Sequence, residues 1–288
     1  MIAARASLCG QLRLSAASAL VLCRDSLWTV ADDCLDLHRY DLDGHWLGQW
    51  SLVPGVLPED PVERKACKAD FEAMALLPDG ALLVLGSGST ARRRRGALFG
   101  EDQQVRPIDA SGLYRVLGEH FQELNIEGAV VRGEQLLLAQ RGNGKGGENA
   151  LVLLQLQRVL ADLGAGRLDA EALLEIRPVQ LGELAGVPLG LTDLTLGRNG
   201  RLYYSAAAEA TDSSYLDGDC LGSVIGWLDD ALLPQAQRLL EPVVKIEGLC
   251  ALADGNLLLV ADADDPAVPA PLFRLDGAWL EEDPAADL

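Results

Sequence analysis

The sequence of 288 residues predicts an all-β fold, a five-bladed β-propeller forming a single domain over residues 1–288. Three observations predict it. One unit recurs along the whole chain, each unit contains a tight turn between two apolar segments, and the segment after the turn is apolar at almost every position. Recurrence at this scale is typical of solenoids, propellers and repeat arrays, and four strands per radial repeat is the propeller pattern.

The repeat is marked by an acidic residue followed by small and apolar residues. The marker positions are Ser18, Glu72, Glu127, Asp193 and Glu247, which lie 54, 55, 66 and 54 residues apart. The first unit is degenerate, because serine stands where the others have an acid. Each marker precedes a turn, then an apolar run, then a polar loop, so the units share an order of elements as well as a length.

The turns indicate hairpins. Asp79-Gly80, Asn199-Gly200 and Asp254-Gly255 separate two apolar segments, and these dipeptides favour the tight turns of β-hairpins. The segment after each turn, such as 82–85 or 257–260, has no polar alternation, which is typical of a strand buried on both faces. Helical periodicity is confined to insertions such as 156–163, which excludes an α-solenoid.

Five units fill the chain, and the last unit is short after Leu275. We expect the N-terminal segment 7–14 to supply the missing outer strand of the last blade and to close the ring, which removes exposed sheet edges. The alternative is six blades, with the extra blade inside the long stretch 127–192.

Charge and cysteine content limit the partners. The chain has 24 Lys+Arg against 43 Asp+Glu, a formal charge of −19, so nucleic acid and anionic membranes are not expected partners. None of the six cysteines forms a C-x-x-C pair, and the N-terminal residues lack a signal-peptide core. These features predict reduced thiols and a cytoplasmic protein.

The marker carboxylates predict a site. In a propeller blade the first strand lines the central channel, so Glu72, Glu127, Asp193 and Glu247 are expected to converge near the axis. Converging carboxylates repel each other, and positive charge must offset that repulsion. Calcium accepts several carboxylate ligands, which makes these four residues candidate metal ligands. The alternative is a structural network without metal, in which basic side chains supply the positive charge.

The loops on the same face supply candidate substrate-binding residues. We expect them to bind a small anionic or ester-containing molecule, with the arginines and the lysine fixing anionic groups. These candidates are Arg92, Arg141, Asn143, Lys245, Glu209 and Asp262. No catalytic base is identified, because the three histidines fall near predicted outer strands.

The repeated acidic steps also carry a resemblance. The segments 70–73, 125–128 and 245–248, together with 140–143 and 261–266, resemble the acid-Gly signature of an uncharacterised bacterial propeller family. They are distantly similar to phytase-like esterase propellers, and more distantly to gluconolactonase and paraoxonase propellers. The resemblance implies a metal-dependent hydrolase, with Glu72, Glu127, Asp193 and Glu247 as the positions to which a ligand role carries over.

We therefore expect a calcium-assisted hydrolase of a small ester, lactone or phosphoester, with its site on the axis of one face. In this hypothesis the metal polarises the reacting oxygen. The alternative is a propeller without catalytic activity that binds a small molecule or a protein partner on the same face.

Overall fold

The computed structural model describes residues 2–142, 147–210, 219–263 and 265–278. Over this part of the chain the fold is all-β, as predicted, and most strands belong to four-stranded antiparallel groups. No helix in these ranges is both long enough and apolar enough to cross a membrane.

The N-terminal strand is β1 (Ala3–Gln11), and three separate four-stranded sheets follow it. The first sheet contains β2 (Ala17–Cys23), β3 (Ser26–Ala31), β4 (Asp36–Tyr40) and β5 (Trp46–Ser51). The second contains β6 (Phe71–Leu76), β7 (Leu82–Gly86), β8 (Arg95–Phe99) and β9 (Val105–Asp109). The third contains β10 (Ile126–Arg132), β11 (Gln135–Gln140), β12 (Ala150–Gln155) and β13 (Leu173–Pro178).

The remaining strands form one nine-stranded sheet made of two four-stranded groups and a short edge strand, β14 (Glu183–Leu184). The fourth group contains β15 (Val187–Leu196), β16 (Leu202–Ala210), β17 (Asp219–Leu228) and β18 (Pro234–Glu241). The fifth contains β19 (Lys245–Ala251), β20 (Leu257–Asp262), β21 (Pro271–Leu275) and β1. Strand β1 pairs antiparallel with β21 and parallel with β18, so the N-terminal strand joins the two groups.

Turn chemistry explains the hairpins. Gly80, Gly200 and Gly255 adopt φ angles of +84°, +79° and +88° in the turns between the first and second strands of their groups. Such angles are favourable for glycine and strained for other residues. The second strand β7 is buried at every position, as the unbroken apolar run predicts.

Within the described ranges, three α-helices lie outside the sheets: α1 (Pro61–Cys67), α2 (Ser111–His120) and α3 (Leu156–Gly164). The predicted helix at 156–163 is confirmed by α3. Helix α1 begins after Asp60, whose side chain accepts hydrogen bonds from the backbone N–H groups of Val62 and Glu63. Helices α2 and α3 bury Leu117 and Val159 in the apolar layer between the second and third sheets.

Apolar layers connect neighbouring groups. Separate clusters of buried side chains lie between the first and second groups, the second and third, the third and fourth, and the fourth and fifth. A further cluster joins the fifth group to the first and includes Leu258 and Leu20. The first strands β2, β6, β10, β15 and β19 also pack against one another in chain order, and β19 lies against β2.

A β-bulge recurs in the first strand of every group. The register against the second strand skips one residue at Ser18, Glu72, Glu127, Thr192 and Glu247. A bulge leaves its extra residue out of the ladder and redirects the side chain. The structural equivalent of the acidic marker in the fourth group is therefore Thr192, one residue before Asp193.

Candidate functional site

The bulged ends of the first strands carry two clusters of buried charge. We call the first the Arg141 cluster. The guanidinium of Arg141 places Nη1 at 3.2 Å from Oε2 of Glu127 and 3.4 Å from Oε1 of Glu247, and Nη2 at 2.6 Å from Oε2 of Glu209. The Arg141 side chain is 5% exposed. One buried cation therefore holds carboxylates from three different groups of strands.

Neighbouring residues complete the Arg141 cluster. Nδ2 of Asn125 donates to Oε1 of Glu127 at 2.5 Å, and Nζ of Lys245 lies 3.0 Å from Oε1 of Glu247 and 3.7 Å from Oδ2 of Asp262. Glycine is required beside the arginine, because a Cβ at Gly190 would lie 2.9 Å from Cγ of Arg141. The full cluster contains Asn125, Glu127, Arg141, Glu209, Lys245, Glu247 and Asp262.

The pKa values of Glu127 and Glu247 shift in opposite directions. Burial and the charge of Glu247 raise the pKa of Glu127 well above its usual value, although Arg141 opposes the shift. Burial also disfavours ionisation of Glu247, but Lys245 and Arg141 outweigh it and hold its pKa below the usual value. Oε2 of Glu247 is buried and accepts no hydrogen bond from an N–H or hydroxyl group in the described part of the chain. Because the two pKa values shift in opposite directions, Glu127 takes up a proton before Glu247 as the pH falls.

The second cluster, which we call the Asp70 cluster, contains Asp32, Lys68, Asp70, Glu72, Ser87 and Arg93. Nζ of Lys68 forms ion pairs with Asp32 and, at 2.9 Å, with Oδ1 of Asp70. Oδ2 of Asp70 accepts from Nη1 of Arg93 at 2.8 Å and from the Ser87 hydroxyl at 2.5 Å. Asp70 is thus the centre of this cluster, as Arg141 is of the first.

Local backbone geometry places these groups. Asp70 adopts φ = +57°, a left-handed conformation that is uncommon for residues other than glycine. A Cβ at Gly86 would lie 2.5 Å from the carbonyl oxygen of Arg93 and 2.7 Å from that of Ala69, so glycine allows this close approach. Arg93 ends a short 3-10 helix (Ala91–Arg93) and also donates to the carbonyl of Lys65 in α1.

Glu72 is the carboxylate of the Asp70 cluster that is not paired. It makes no hydrogen bond or ion pair with any residue in the described ranges and is partly exposed. Burial, together with the charges of Asp70, Glu127 and Asp32, raises its pKa well above the usual value. Carboxylate oxygens of Asp32, Asp70 and Glu72 lie within 4.8 Å of one another.

Asp193 has a different environment from the three glutamates. Its Oδ1 accepts from the backbone N–H of Leu194 at 2.7 Å, and Oδ2 accepts from that of Leu249 at 2.9 Å. A backbone hydrogen bond from Leu20 also acts on it, while burial raises its pKa. Because Leu249 and Leu20 belong to β19 and β2, this carboxyl group connects three of the first strands.

The structure brings together most of the predicted site residues, though not in one cluster. Arg141, Lys245, Glu209 and Asp262 lie in the Arg141 cluster with Glu127 and Glu247. Arg92 is exposed, with Nη1 at 3.8 Å from Sγ of Cys67. Asn143 lies outside the described residues.

Five members of the Asp70 cluster are missing from the predicted set of site residues: Asp32, Lys68, Asp70, Ser87 and Arg93. Asp70 is two positions before the marker Glu72, so its proximity in sequence was an available signal. Arg93 lies within the run of four arginines 92–95, and nothing in that run distinguishes the buried arginine from the exposed ones.

Metal-compatible groupings are limited in the described part of the chain. Three ligand atoms come within 4.8 Å of one another at Asp32, Asp70 and Glu72, and at the more exposed Asp41, Asp43 and His45. Of the four predicted ligands, these groupings include Glu72. A ligand role for Glu127, Asp193 or Glu247 remains a prediction.

Comparisons with known proteins place the chain in a family and a fold. A family model described as "Family of unknown function (DUF6929)" matches residues 13–276. A search of curated proteins finds no match.

Three solved structures illustrate the similarity in fold. Glutaminyl cyclase from Myxococcus xanthus is 14% identical, with 96% of this chain and 98% of that one covered and a TM-score of 0.55. A gluconolactonase from Xanthomonas campestris is 15% identical over 70% of this chain and 57% of that one, with a TM-score of 0.40. The β-propeller domain of Cps50 from Myceliophteria thermophila is 12% identical over 91% and 72%, with a TM-score of 0.41.

Proposed function

This chain belongs to the family of unknown function DUF6929, and we propose that it is a cytoplasmic, single-domain five-bladed β-propeller with calcium-assisted hydrolase activity at its axis. The substrate class is a small ester, lactone or phosphoester, and neither nucleic acid nor a membrane is a partner. Its strand content, its four-stranded groups and the propellers among structures of similar fold support the architecture.

The five-blade ring is supported by the order of contacts. Each first strand packs against the next one along the chain, and β19 packs against β2. The apolar layer between the fifth and first groups has the same position as the layers between the other neighbours. Strand β1 is the fourth strand of the fifth group and so links the two ends of the chain. The described residues of 127–192 form strands, α3 and a short 3-10 helix without a further four-stranded sheet, which favours five blades over six.

The observation that carries the functional proposal is the grouping of Asp32, Asp70 and Glu72. Carboxylate oxygens are the ligands that Ca²⁺ prefers, and they surround it at 2.3–2.6 Å, so oxygens within 4.8 Å of one another fit one ion. Among the described residues, Glu72 has no protein partner to displace. Lys68 is bonded to the other two carboxylates and competes with the cation for them.

The residues around this triad would hold the substrate. Bound calcium supplies a Lewis acid that polarises an ester or phosphoester oxygen. Lys68, once it leaves the carboxylates, is free to bind an anionic group of the substrate. Arg141 and Lys245 contribute indirectly, because their ion pairs fix the neighbouring glutamates.

Calcium titration of chelator-treated protein tests the proposal. We expect heat of binding in calorimetry and a higher melting temperature with calcium, because a ligand that binds the folded state stabilises it. A screen of small esters, lactones and phosphoesters should then show hydrolysis that stops when a chelator is added. Absence of both binding and a melting shift at millimolar calcium would contradict the metal site.

A propeller that binds a small molecule or protein without catalysis is the second candidate. It is favoured by the pairing of Glu127, Glu209 and Glu247 with one arginine, which is typical of a structural ion network. Calcium binding combined with silent substrate screens would support this candidate over the hydrolase.

A further inference from the structure

A small pocket lies at the opposite ends of the strands from the two charged clusters. Its lining comes from the β2–β3 turn (Cys23 and Arg24), the β6–β7 turn (Gly80) and the β8–β9 turn (100–103). The Asp70 cluster lies instead where β3 ends and β6 begins. The pocket is therefore a separate feature of the interface between the first and second groups.

The floor of the pocket is aromatic. Trp28, Trp50 and Phe99 pack against one another with ring centroids 5.2–5.3 Å apart and tilted planes. The pocket encloses about 110 Å³. This is less than the roughly 150 Å³ of a cavity that holds benzene in an engineered protein, so a single small ring would fill the pocket and extend into its open mouth.

An arginine with free hydrogen-bonding capacity forms part of the wall. Nε of Arg39 donates to the Ser26 hydroxyl at 3.0 Å, and its guanidinium carbon lies 5.4 Å from the centroid of the Trp28 ring. These two contacts fix the side chain. Arg39 forms no ion pair with any carboxylate in the described ranges, although the protein carries a net charge of −19. Its terminal nitrogens therefore remain available for a carboxylate.

Arg24 and Glu101 stand beside the mouth as an exposed ion pair, with side-chain exposures of 76% and 54%. Such a pair contributes little to stability and is easily opened. Gly80 leaves room for the same glutamate, because a Cβ there would lie 2.7 Å from Oε1 of Glu101. The rim is thus polar and adjustable, whereas the floor and Arg39 are fixed.

We propose that this pocket binds a small aromatic carboxylate, with the ring on the Trp28, Trp50 and Phe99 floor and the carboxylate on Arg39. The aromatic floor selects a flat apolar body, and the arginine selects a planar anion that it can bind with two parallel hydrogen bonds. This ligand site is independent of the proposed axial function.

Benzoate and benzamide are suitable probes, because they share a ring and differ in charge. We expect benzoate to bind in a calorimetric or ligand-observed NMR titration, and benzamide to bind about tenfold more weakly or worse. Arg39→Gln should weaken benzoate binding by about tenfold or more. Arg201→Gln is the matched control, because Arg201 also stacks on a tryptophan, Trp227, away from the pocket, and it should leave binding unchanged.

Cys23→Leu provides a second variant that leaves Arg39 intact. The larger side chain fills part of the cavity, so benzoate binding should be lost while the melting curve stays cooperative. The proposal is overturned if benzoate does not bind, if benzamide binds equally well, or if a folded Arg39→Gln or Cys23→Leu protein binds benzoate as the unaltered chain does. Unchanged calcium binding in a Glu72→Gln protein that still binds benzoate would contradict only the axial proposal.

Discussion

The Arg141 cluster and the Asp70 cluster start from the same element and end in different chemistry. Both contain a glutamate at the bulge of a first strand, Glu127 or Glu247 in one and Glu72 in the other. Arg141 forms ion pairs with both bulged glutamates of its cluster. In the Asp70 cluster, Lys68 and Arg93 are bonded to the aspartates, and Glu72 has no partner in the part of the chain that the structure describes. The position of the cation therefore decides whether a bulged glutamate is structural or available to a ligand.

Of the changes that compare the two clusters, Arg141→Met should cause the largest loss of unfolding free energy. Methionine keeps much of the volume but leaves Glu127, Glu209 and Glu247 without their shared cation, and a broken buried pair costs about 3–5 kcal/mol of unfolding free energy. Urea denaturation followed by circular dichroism measures the loss. Arg92→Ala is the control, since Arg92 is exposed and a surface change of this kind shifts stability by about 0.5 kcal/mol or less. Equal losses of unfolding free energy in the two variants would show that the Arg141 cluster stabilises the fold no more than an exposed arginine does.

Glu247→Gln and Glu127→Gln separate the roles of the two carboxyl groups whose pKa values shift in opposite directions. Glutamine removes the charge that Arg141 and Lys245 bind at Glu247, and we expect a loss of about 2 kcal/mol. At Glu127 glutamine resembles the protonated acid already favoured there, so the loss should stay below about 1 kcal/mol. The same denaturation experiment at neutral pH tests both. A larger loss for Glu127→Gln than for Glu247→Gln would reverse the assignment of the proton.

Lys68→Met tests the Asp70 cluster by removing a cation instead of a carboxylate. Asp70 keeps its bonds to Arg93 and Ser87, so the cost should be smaller than that of Arg141→Met, about 1–2 kcal/mol. The same change removes the competitor for Asp32 and Asp70 and should raise calcium affinity about tenfold or more. Calorimetric titration checks this, with Lys65→Met as the control in the nearby helix α1. Unchanged or weaker calcium binding in Lys68→Met would place the cation elsewhere.

The ionisation of Glu127 should make stability depend on pH, with a smaller effect than the substitutions above. Burial and Glu247 raise the pKa of Glu127 from 4.5 to about 8, so between these values the folded state holds a proton that the unfolded state has lost. Stability contributed by this group is therefore full below pH 4.5 and falls as pH rises toward 8. Melting temperatures across this range should decline less steeply in Glu127→Gln. An unchanged slope in that variant would exclude Glu127 as the source.

Local patterns predicted the framework of the molecule. Turn dipeptides and apolar runs predicted the hairpins, and the marker spacing identified the glutamates that lie at the bulges. In the fourth group the predicted marker position is one residue too far along the chain, because Asp193 is the acid in the pattern whereas Thr192 occupies the bulge. A bulge depends on pairing with the second strand, which the first strand's residues alone do not reveal.

The division of charges between the clusters could not be predicted from the sequence. Lys68 meets Asp32 across 36 residues, and Arg141 meets Glu247 across 106. Such contacts depend on how neighbouring groups pack. Arg93 illustrates the same limit, since its burial follows from the short 3-10 helix and from its contacts with Asp70 and Lys65.

Calcium titration of Glu72→Gln beside Glu127→Gln is the most direct test of the difference between the two clusters. Both substitutions remove one carboxylate from the same bulge position of neighbouring groups, and calorimetry reports binding to chelator-treated protein. We predict that Glu127→Gln retains the calcium affinity of the unaltered chain and that Glu72→Gln loses it by about tenfold or more. Retention in Glu72→Gln with loss in Glu127→Gln would contradict the account.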